Sequence, residues 1–578
     1  MIAQRADASA TAPHTQSRFH GTVAHRIALA LRRHGVSLVF GQSLPTIVHL
    51  ADSEMGVRQV AYRQENTGGY MADGYARISH RVGVVTAQNG PAAALLVPPL
   101  AEAFKASIPL VALVQEVNRD QTDRNAFQEL DHEALFRPCT KWVRRVIEPN
   151  RIDDYVDMAF TAAASGRPGP AMLLLPADLL QQQVTAEPSR SRALGFYPLD
   201  RTCADPAQIA QAAELLRNAT APVIIAGGGV HLSDASAALA ALQETASIPV
   251  ATTVMGKGVV ADDHPLSIGV VGYFMGRNSA THYLRSCITD ADVVLLVGNR
   301  TNQNGTDSWT LYPRAARYIH IDADGTEIGR NYEALRLVGD ARLTLEALTA
   351  QLAAGDLRRR QAARATVANR IAEGRRRHAE TVAPLLRSDA APIRPERVMA
   401  EIEALVTPDT VVVADASYAS IWVANYIRVR QPGMRFLTPR GLAGLGWGFP
   451  MAMGAKFARP DAPVICVVGD GGFGHAWAEL EAARRQNLAI TLIVLNNGVL
   501  AYQQHAEDIK FGTHTDACHF AAVDHAAIAR ACGCDGVRIE RAAELRPALE
   551  KALAARTVTL IDVLTDPDAK PPITVFEA

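Results

Sequence analysis

Short runs of uninterrupted apolar residues recur along this chain, separated by longer stretches with helical spacing. Leu38-Val39-Phe40 is followed by 82–86, 110–114 and 171–175. Farther on come 222–226, 293–297 and 318–321, and last 411–414, 464–468, 491–495 and 558–563. A strand that is apolar on both sides must be covered on both faces. Strands alternating with helices reach a parallel neighbour through a crossover connection. The pattern therefore demands an α/β fold with buried parallel sheets. A length of 578 residues is too great for one hydrophobic core. The runs fall into three groups, so three doubly wound domains are expected, over 19–190, 200–353 and 394–578. Residues 1–18 read as a polar disordered tail and 354–393 as a charged helical linker. Within that linker, Arg358, Arg359 and Arg360 are adjacent, and a solvated helix face accounts for them better than a binding patch. The first and third blocks look architecturally alike, without a repeat at residue level.

Composition narrows the function. Lys and Arg number 58 against 59 Asp and Glu, for a net charge of −1, so nothing marks a nucleic-acid or anionic-lipid surface. No run of about 20 apolar residues suggests a membrane span. The seven cysteines are few, odd in number and scattered, which suits a reducing, cytoplasmic setting. The first 18 residues lack the apolar stretch of a secretory signal.

The third block carries Gly469-Asp470-Gly471-Gly472 and then Asn496-Asn497, with 29 residues from Gly469 to Asn497 inclusive. That distance fits one strand, a crossover helix and the next strand. Both motifs then lie at the carboxyl edge of one sheet, where open α/β sheets bind ligands. Asp470 offers a carboxylate oxygen and Asn497 an amide oxygen, a hard donor set suited to Mg²⁺ and the phosphates it bridges. Gly471 and Gly472 allow a diphosphate to approach the backbone at a helix start. Alone, Gly-Asp-Gly would be a turn with a capping Asp. The second strand ending in Asn-Asn at this distance makes the pattern specific.

The pattern resembles that of thiamine diphosphate enzymes, and further segments extend the resemblance over nearly the whole chain after residue 19. Tyr62-Arg63-Gln64-Glu65-Asn66 followed by 69–77 is similar to the segment around that superfamily's catalytic glutamate. Residues 86–91 resemble its Ser-Gly-Pro turn, Ala126-Phe127-Gln128-Glu129 an acetohydroxyacid synthase signature, and 441–450 the loop around the aminopyrimidine. The resemblance is nearest to the acetolactate (acetohydroxyacid) synthase-like subgroup. It implies pyrimidine-binding, central and diphosphate-binding domains. It also implies Mg²⁺ held by Asp470, Asn497 and the Val499 carbonyl, with Gly469, Gly471 and Gly472 around the diphosphate. Glu65 would hydrogen-bond the pyrimidine and promote loss of the thiazolium C2 proton. Phe127 and Gln128 would reach the same pocket. Ala443 and Leu445 would face the pyrimidine, with Leu445 beneath the bend of the cofactor, and Pro91, Ser417 and Ser420 would add contacts. Glu65 and Asp470 would come from different subunits, so a homodimer or homotetramer with interface active sites is implied.

The implied reaction is decarboxylation of a small 2-oxoacid through a C2-carbanion/enamine, followed by carboligation. The alternatives are a non-carboligating decarboxylase or a 2-hydroxyacyl lyase. A third reading is a non-catalytic nucleotide-binding protein, against which the joint presence of Glu65, Asp470 and Asn497 speaks. In the central block, 226–229, 252–256, 298–300, 321–324 and 339–340 resemble flavin-binding positions, so FAD, ADP or nothing could occupy it. The acceptor side departs from the biosynthetic synthases. The family's second arginine after its Gly-x-Arg turn is Asn304, its Lys is Ala177, its substrate-sorting Trp aligns with Ala506, and its Leu-Gly-Met is Leu500-Ala501-Tyr502. Tyr502, Gln503, Gln504 and His505 are candidates for that pocket, although a lone His there is more often a surface or loop residue. Donor, acceptor, flavin and any regulatory subunit stay open.

Overall fold

The computed structural model describes residues 21–42, 44–184 and 190–576. The expected tail, 1–18, lies outside them. The three groups of apolar runs form three six-stranded sheets, all parallel and flanked by helices. The first contains Leu38–Phe40, Arg58–Val60, Gly83–Ala87, Leu110–Glu116, Trp142–Arg145 and Ala171–Pro176. Counted in chain order, its strands lie side by side as 2-1-3-4-6-5. The third contains Val411–Ala414, Phe436–Leu437, Val464–Gly469, Thr491–Asn496, Asp535–Ile539 and Thr559–Leu564, in the same order, 2-1-3-4-6-5. The central sheet, starting with Pro222–Ala226, runs 3-2-1-4-5-6, the dinucleotide-fold order. The strands absent from the apolar-run reading include the edge strands Arg58–Val60, Trp142–Arg145 and Ala334–Val338. Their outer faces meet solvent, so polar residues interrupt the apolar signal.

The first and third domains share one core. Helix Glu65–Ser79 lies along helix Gly448–Ala458, and glycines set the separation. A Cβ at Gly74 would stand 2.2 Å from the Met451 carbonyl oxygen, and one at Gly454 would stand 2.0 Å from that of Met71. Tyr70 stacks on Trp447 with ring centroids 4.3 Å apart. The charged segment is one long helix, Arg358–Leu386. Arg358 is solvated, but Arg360 is buried, its guanidinium donating to the Ala219 carbonyl. The Arg run thus pins the helix to the central domain as well as solvating it. Among the described residues, no helix is long and apolar enough to cross a membrane. All seven cysteines are free.

Candidate active site

In the third sheet the strand order reverses between Val411–Ala414 and Val464–Gly469, which pair directly. Chains leaving a reversal point diverge and open a crevice. A cavity of about 530 Å³ opens there. Ser417, Ala443, Leu445, Gly469, Asp470, Gly471, Gly472, Asn497 and Val499, all nominated from sequence, line it. Ser420 does not. Its hydroxyl donates to the Ser417 carbonyl and accepts from Arg440, behind the cavity wall. Ser417 itself has φ 64° and ψ −143°, a strained backbone for a residue with a side chain.

Asp470 is 7% exposed, and burial pushes its carboxyl up to about 6. One oxygen accepts from the Gly471 N–H at 2.8 Å and the other from the Gly498 N–H at 2.7 Å. Each oxygen keeps a lone pair, and among the described residues no cationic side chain pairs with the group, so a divalent cation fits. The Asn497 amide oxygen, 3.2 Å from the Val499 N–H, adds a neutral oxygen donor. Among the described residues no group of three His, Cys, Asp or Glu could hold a metal. A cation here would therefore depend on one carboxylate, amide and carbonyl oxygens, and phosphate. A side chain at Gly469 would meet no atom within 4 Å, so the strand end leaves space open for a bulky anion.

Two buried acids missed by the sequence reading shape the loop over this cavity. Asp415 accepts from the Gly446, Trp447 and Gly448 N–H groups at 2.8, 3.1 and 3.0 Å. Burial raises its pKa, opposed by those donors. Glu102, on helix Val97–Ala106 of the first domain, accepts from the Arg440, Gly441 and Leu442 N–H groups at 2.9, 2.8 and 2.6 Å. Ala443 follows in the left-handed region, φ 61°. A third buried acid, Glu479, accepts from the Arg63 and Gln64 N–H groups and the Thr67 hydroxyl, at 3.0, 3.2 and 2.6 Å. It thereby caps the helix that begins at Glu65, whose own N-cap Gln64 makes no side-chain bond.

Glu65, Pro91, Phe127 and Gln128 do not line this cavity within the chain. Gln128 packs against Gly90 at the end of strand Gly83–Ala87, beside the first sheet's own reversal point, with Pro91 next in the chain, and Glu65 opens the helix that follows the edge strand Arg58–Val60. Glu65 is half-buried, Pro91 is exposed and the Phe127 ring is 84% exposed. The Phe127-Gln128 turn is fixed to the strand end: the Asn89 amide donates to both its carbonyls at 3.3 and 3.1 Å, and the Gln88 amide donates to Gln128 at 2.5 Å. Buried His132 accepts the Gly90 N–H at 3.0 Å, its other ring nitrogen facing Glu116 at 3.3 Å.

Of the residues nominated for an acceptor pocket, Tyr502 and Gln503 line the cavity, joined by Tyr273 and Asn304 of the central domain. Gln504, His505 and Ala506 do not. His505 is buried rather than a surface residue, its Nδ1 2.5 Å from the Tyr418 hydroxyl, because its helix packs that face inward. The central sheet's reversal point holds a second cavity, about 250 Å³, bounded by Gly227, Gly228, Gly229, Gly298, Arg300 and Asp322 among others. Its two turns touch: a Cβ at Gly227 would stand 2.2 Å from the Gly298 carbonyl oxygen. Burial lifts the Asp322 carboxyl to about 6. Glycine turns and a strand-end acid fit the ADP part of a nucleotide.

Three family models match the chain. Residues 21–135 match the N-terminal TPP binding domain of thiamine pyrophosphate enzymes, 209–348 the central domain, and 415–563 the C-terminal TPP binding domain. A probable acetolactate synthase large subunit of Methanocaldococcus jannaschii is 33% identical over 561 residues, covering 94% of this chain and 92% of that protein. The acetolactate synthase large subunit of Parasynechococcus marenigrum is 33% identical over 92% of this chain and 86% of its own. That of Mycobacterium tuberculosis is 32% identical over 95% and 89%.

Proposed function

The chain belongs to the acetolactate synthase family of thiamine diphosphate enzymes, and from that premise we propose that it decarboxylates a small 2-oxoacid and joins the remaining fragment to a carbonyl acceptor. The observation that carries this reading is the buried Asp470 beside Asn497 at one sheet edge, opening on a cavity that also holds Leu445. Thiamine diphosphate, when bound, supplies an acidic carbon that adds to the 2-oxo group and accepts the electrons released with CO₂. Asp470, Asn497 and the Val499 carbonyl would hold Mg²⁺, and Gly471 and Gly472 would leave room for the diphosphate. Leu445 would support the bend of the cofactor, and the Ala443 carbonyl would face its pyrimidine.

Glu65 would share a proton with the pyrimidine ring of a second copy of the chain, with Pro91, Phe127 and Gln128 brought in beside it. The exposure of Phe127 supports a dimer, or a dimer of dimers, in which each first domain covers the partner's cavity. The central cavity would take FAD or ADP. The Tyr273 and Tyr502 rings, which line the cavity, would help to keep water from the reacting carbon once both copies are in place.

The test is incubation of the purified protein with pyruvate, thiamine diphosphate and Mg²⁺, followed by product identification. Acetolactate is the expected product. Acetaldehyde alone would indicate a non-carboligating decarboxylase. Cleavage of a 2-hydroxyacyl compound without pyruvate turnover would indicate a lyase, a reading favoured by the rebuilt acceptor side around Tyr502 and Asn304.

A further inference from the structure

Arg440 and Asn304 are the two residues that border both cavities. Among the described residues, Arg440 is also the one cationic side chain lining the larger of them. Its backbone N–H donates to Glu102, which fixes where the side chain starts. One terminal nitrogen donates to the Tyr273 hydroxyl at 3.1 Å and the other to the Ser420 hydroxyl. Both partners are neutral. The Nε–H is buried with no partner, and among the described residues no carboxylate forms an ion pair with the guanidinium. Its plane lies near the Phe274 ring, 5.4 Å from the centroid. Each terminal nitrogen carries a second N–H beyond the one given to Tyr273 or Ser420, and a cavity-lining guanidinium with donors to spare and no counter-ion among the described residues is a site for an anion.

The position says which anion. The charge of Arg440 acts on the Tyr502 phenol, opposing the rise that burial imposes there. Tyr273, its hydrogen-bond partner, and Asn304 line the same side. Arg440 thus belongs to the wall that carries the acceptor-side residues. A donor 2-oxoacid loses its carboxylate as neutral CO₂. A cation gripping that group would stabilise the reactant more than the transition state and slow its loss. An acceptor keeps its carboxylate throughout.

We propose that Arg440 is the acceptor-binding residue of the catalytic cavity, holding the carboxylate of a 2-oxoacid acceptor and so selecting it over an uncharged aldehyde. The inference rests on the carboligase reading above and adds the residue that decides the acceptor class.

The experiment compares the wild-type holoenzyme with Arg440→Gln and Arg440→Lys, with pyruvate as donor and acceptor. Loss of one charge-assisted contact lowers the ratio of acetolactate to CO₂ by about 10–100-fold in Arg440→Gln, and acetaldehyde takes its place. Arg440→Lys retains part of the ratio. Calorimetry adds a readout without turnover: oxamate, an unreactive 2-oxoacid mimic, binds the wild-type enzyme with thiamine diphosphate and Mg²⁺, and about 10–100-fold more weakly to Arg440→Gln. An unchanged ratio would overturn the proposal, and so would oxamate affinity independent of residue 440. Weakened thiamine diphosphate binding with an unchanged ratio would make Arg440 a diphosphate ligand instead. Should the wild type release no CO₂ from any 2-oxoacid, the carboligase reading fails, and the oxamate titration still decides whether Arg440 binds a carboxylate.

Discussion

The first and third domains lay their strands in one order, 2-1-3-4-6-5, yet they equip the same topological point in opposite ways. In the third domain the reversal point is closed in. Asp470 and Asp415 are buried there and accept backbone N–H groups, and the loop 441–450 arches over them. In the first domain the equivalent point has neutral Gln88, Asn89 and Gly90, and the Phe127 ring held beside it is exposed. Topology decides where a crevice can form. Residues at the strand ends decide whether it becomes a charged anchor or a surface awaiting a partner.

The sharpest way to break this contrast is at Glu65. Glu65→Gln should cut C2 proton exchange of bound thiamine diphosphate, followed by NMR, by about 10³-fold, the scale of a lost acid–base group. Cofactor affinity should stay near wild type, because the anchor belongs to the other domain. Equal losses of exchange and affinity would show that the two domains do not divide the work. Conversely, Asp470→Ala should weaken Mg²⁺-dependent cofactor binding by about 100-fold or more in calorimetry, since a first ligand matters at least as much as an outer-shell one. Unchanged affinity would remove Asp470 from the anchor.

Glu102 tests the link between the domains. Glu102→Gln cannot accept all the loop N–H groups at 440–442, and a lost buried acceptor costs about 2 kcal/mol. The melting temperature should fall by about 4–8 °C, at about 2–4 °C per kcal/mol for domains of this size. No shift would mean that the loop is held from within the third domain alone.

The pH dependence of the anchor is smaller. The Asp470 carboxyl titrates near 6 in the metal-free protein, above its ordinary value of 3.8. The folded protein therefore binds the proton more tightly than the unfolded chain, and metal-free stability declines as pH rises from about 4 through about 6. Cation binding needs the ionised form, so apparent cofactor affinity should be full above about pH 6 and fall about tenfold per unit below it. A flat profile between pH 5 and 7 would assign the cation to other groups. The smallest effect concerns acceptor size. Ala506 lies off the cavity, so no side chain there sorts acceptors by a methyl group. With pyruvate and 2-oxobutyrate in competition, the two products should lie within about threefold, well below the 10–200-fold that one well-packed methylene can provide. A strong excess of the longer product would place a sorting residue elsewhere.

Much of this was legible beforehand. The three sheets follow from the apolar runs, and the strand boundaries at Pro222–Ala226, Val293–Val297 and Val411–Ala414 coincide with them. Nine nominated residues bound one cavity because they sit in short segments at strand ends, where local sequence and topology coincide. Glu102, Asp415, Glu479 and Arg440 carried no such mark. An acid on a helix reads as solvent-exposed until its partners are known, and those of Glu102 lie 338–340 residues away. His505 was misjudged for the same reason, since the Tyr418 hydroxyl that buries it is 87 residues distant.

By itself, the sequence determined the three parallel sheets and the diphosphate-type motif, because apolar periodicity and a turn at a strand end are properties of neighbouring residues. The tertiary structure alone decided which buried acids hold the loop and helix at the site, and that Arg440 borders two cavities without a counter-ion among the described residues. Those outcomes depend on packing between segments from about twenty to more than four hundred residues apart, where burial removes water from a charge and leaves it only the partners that the fold supplies.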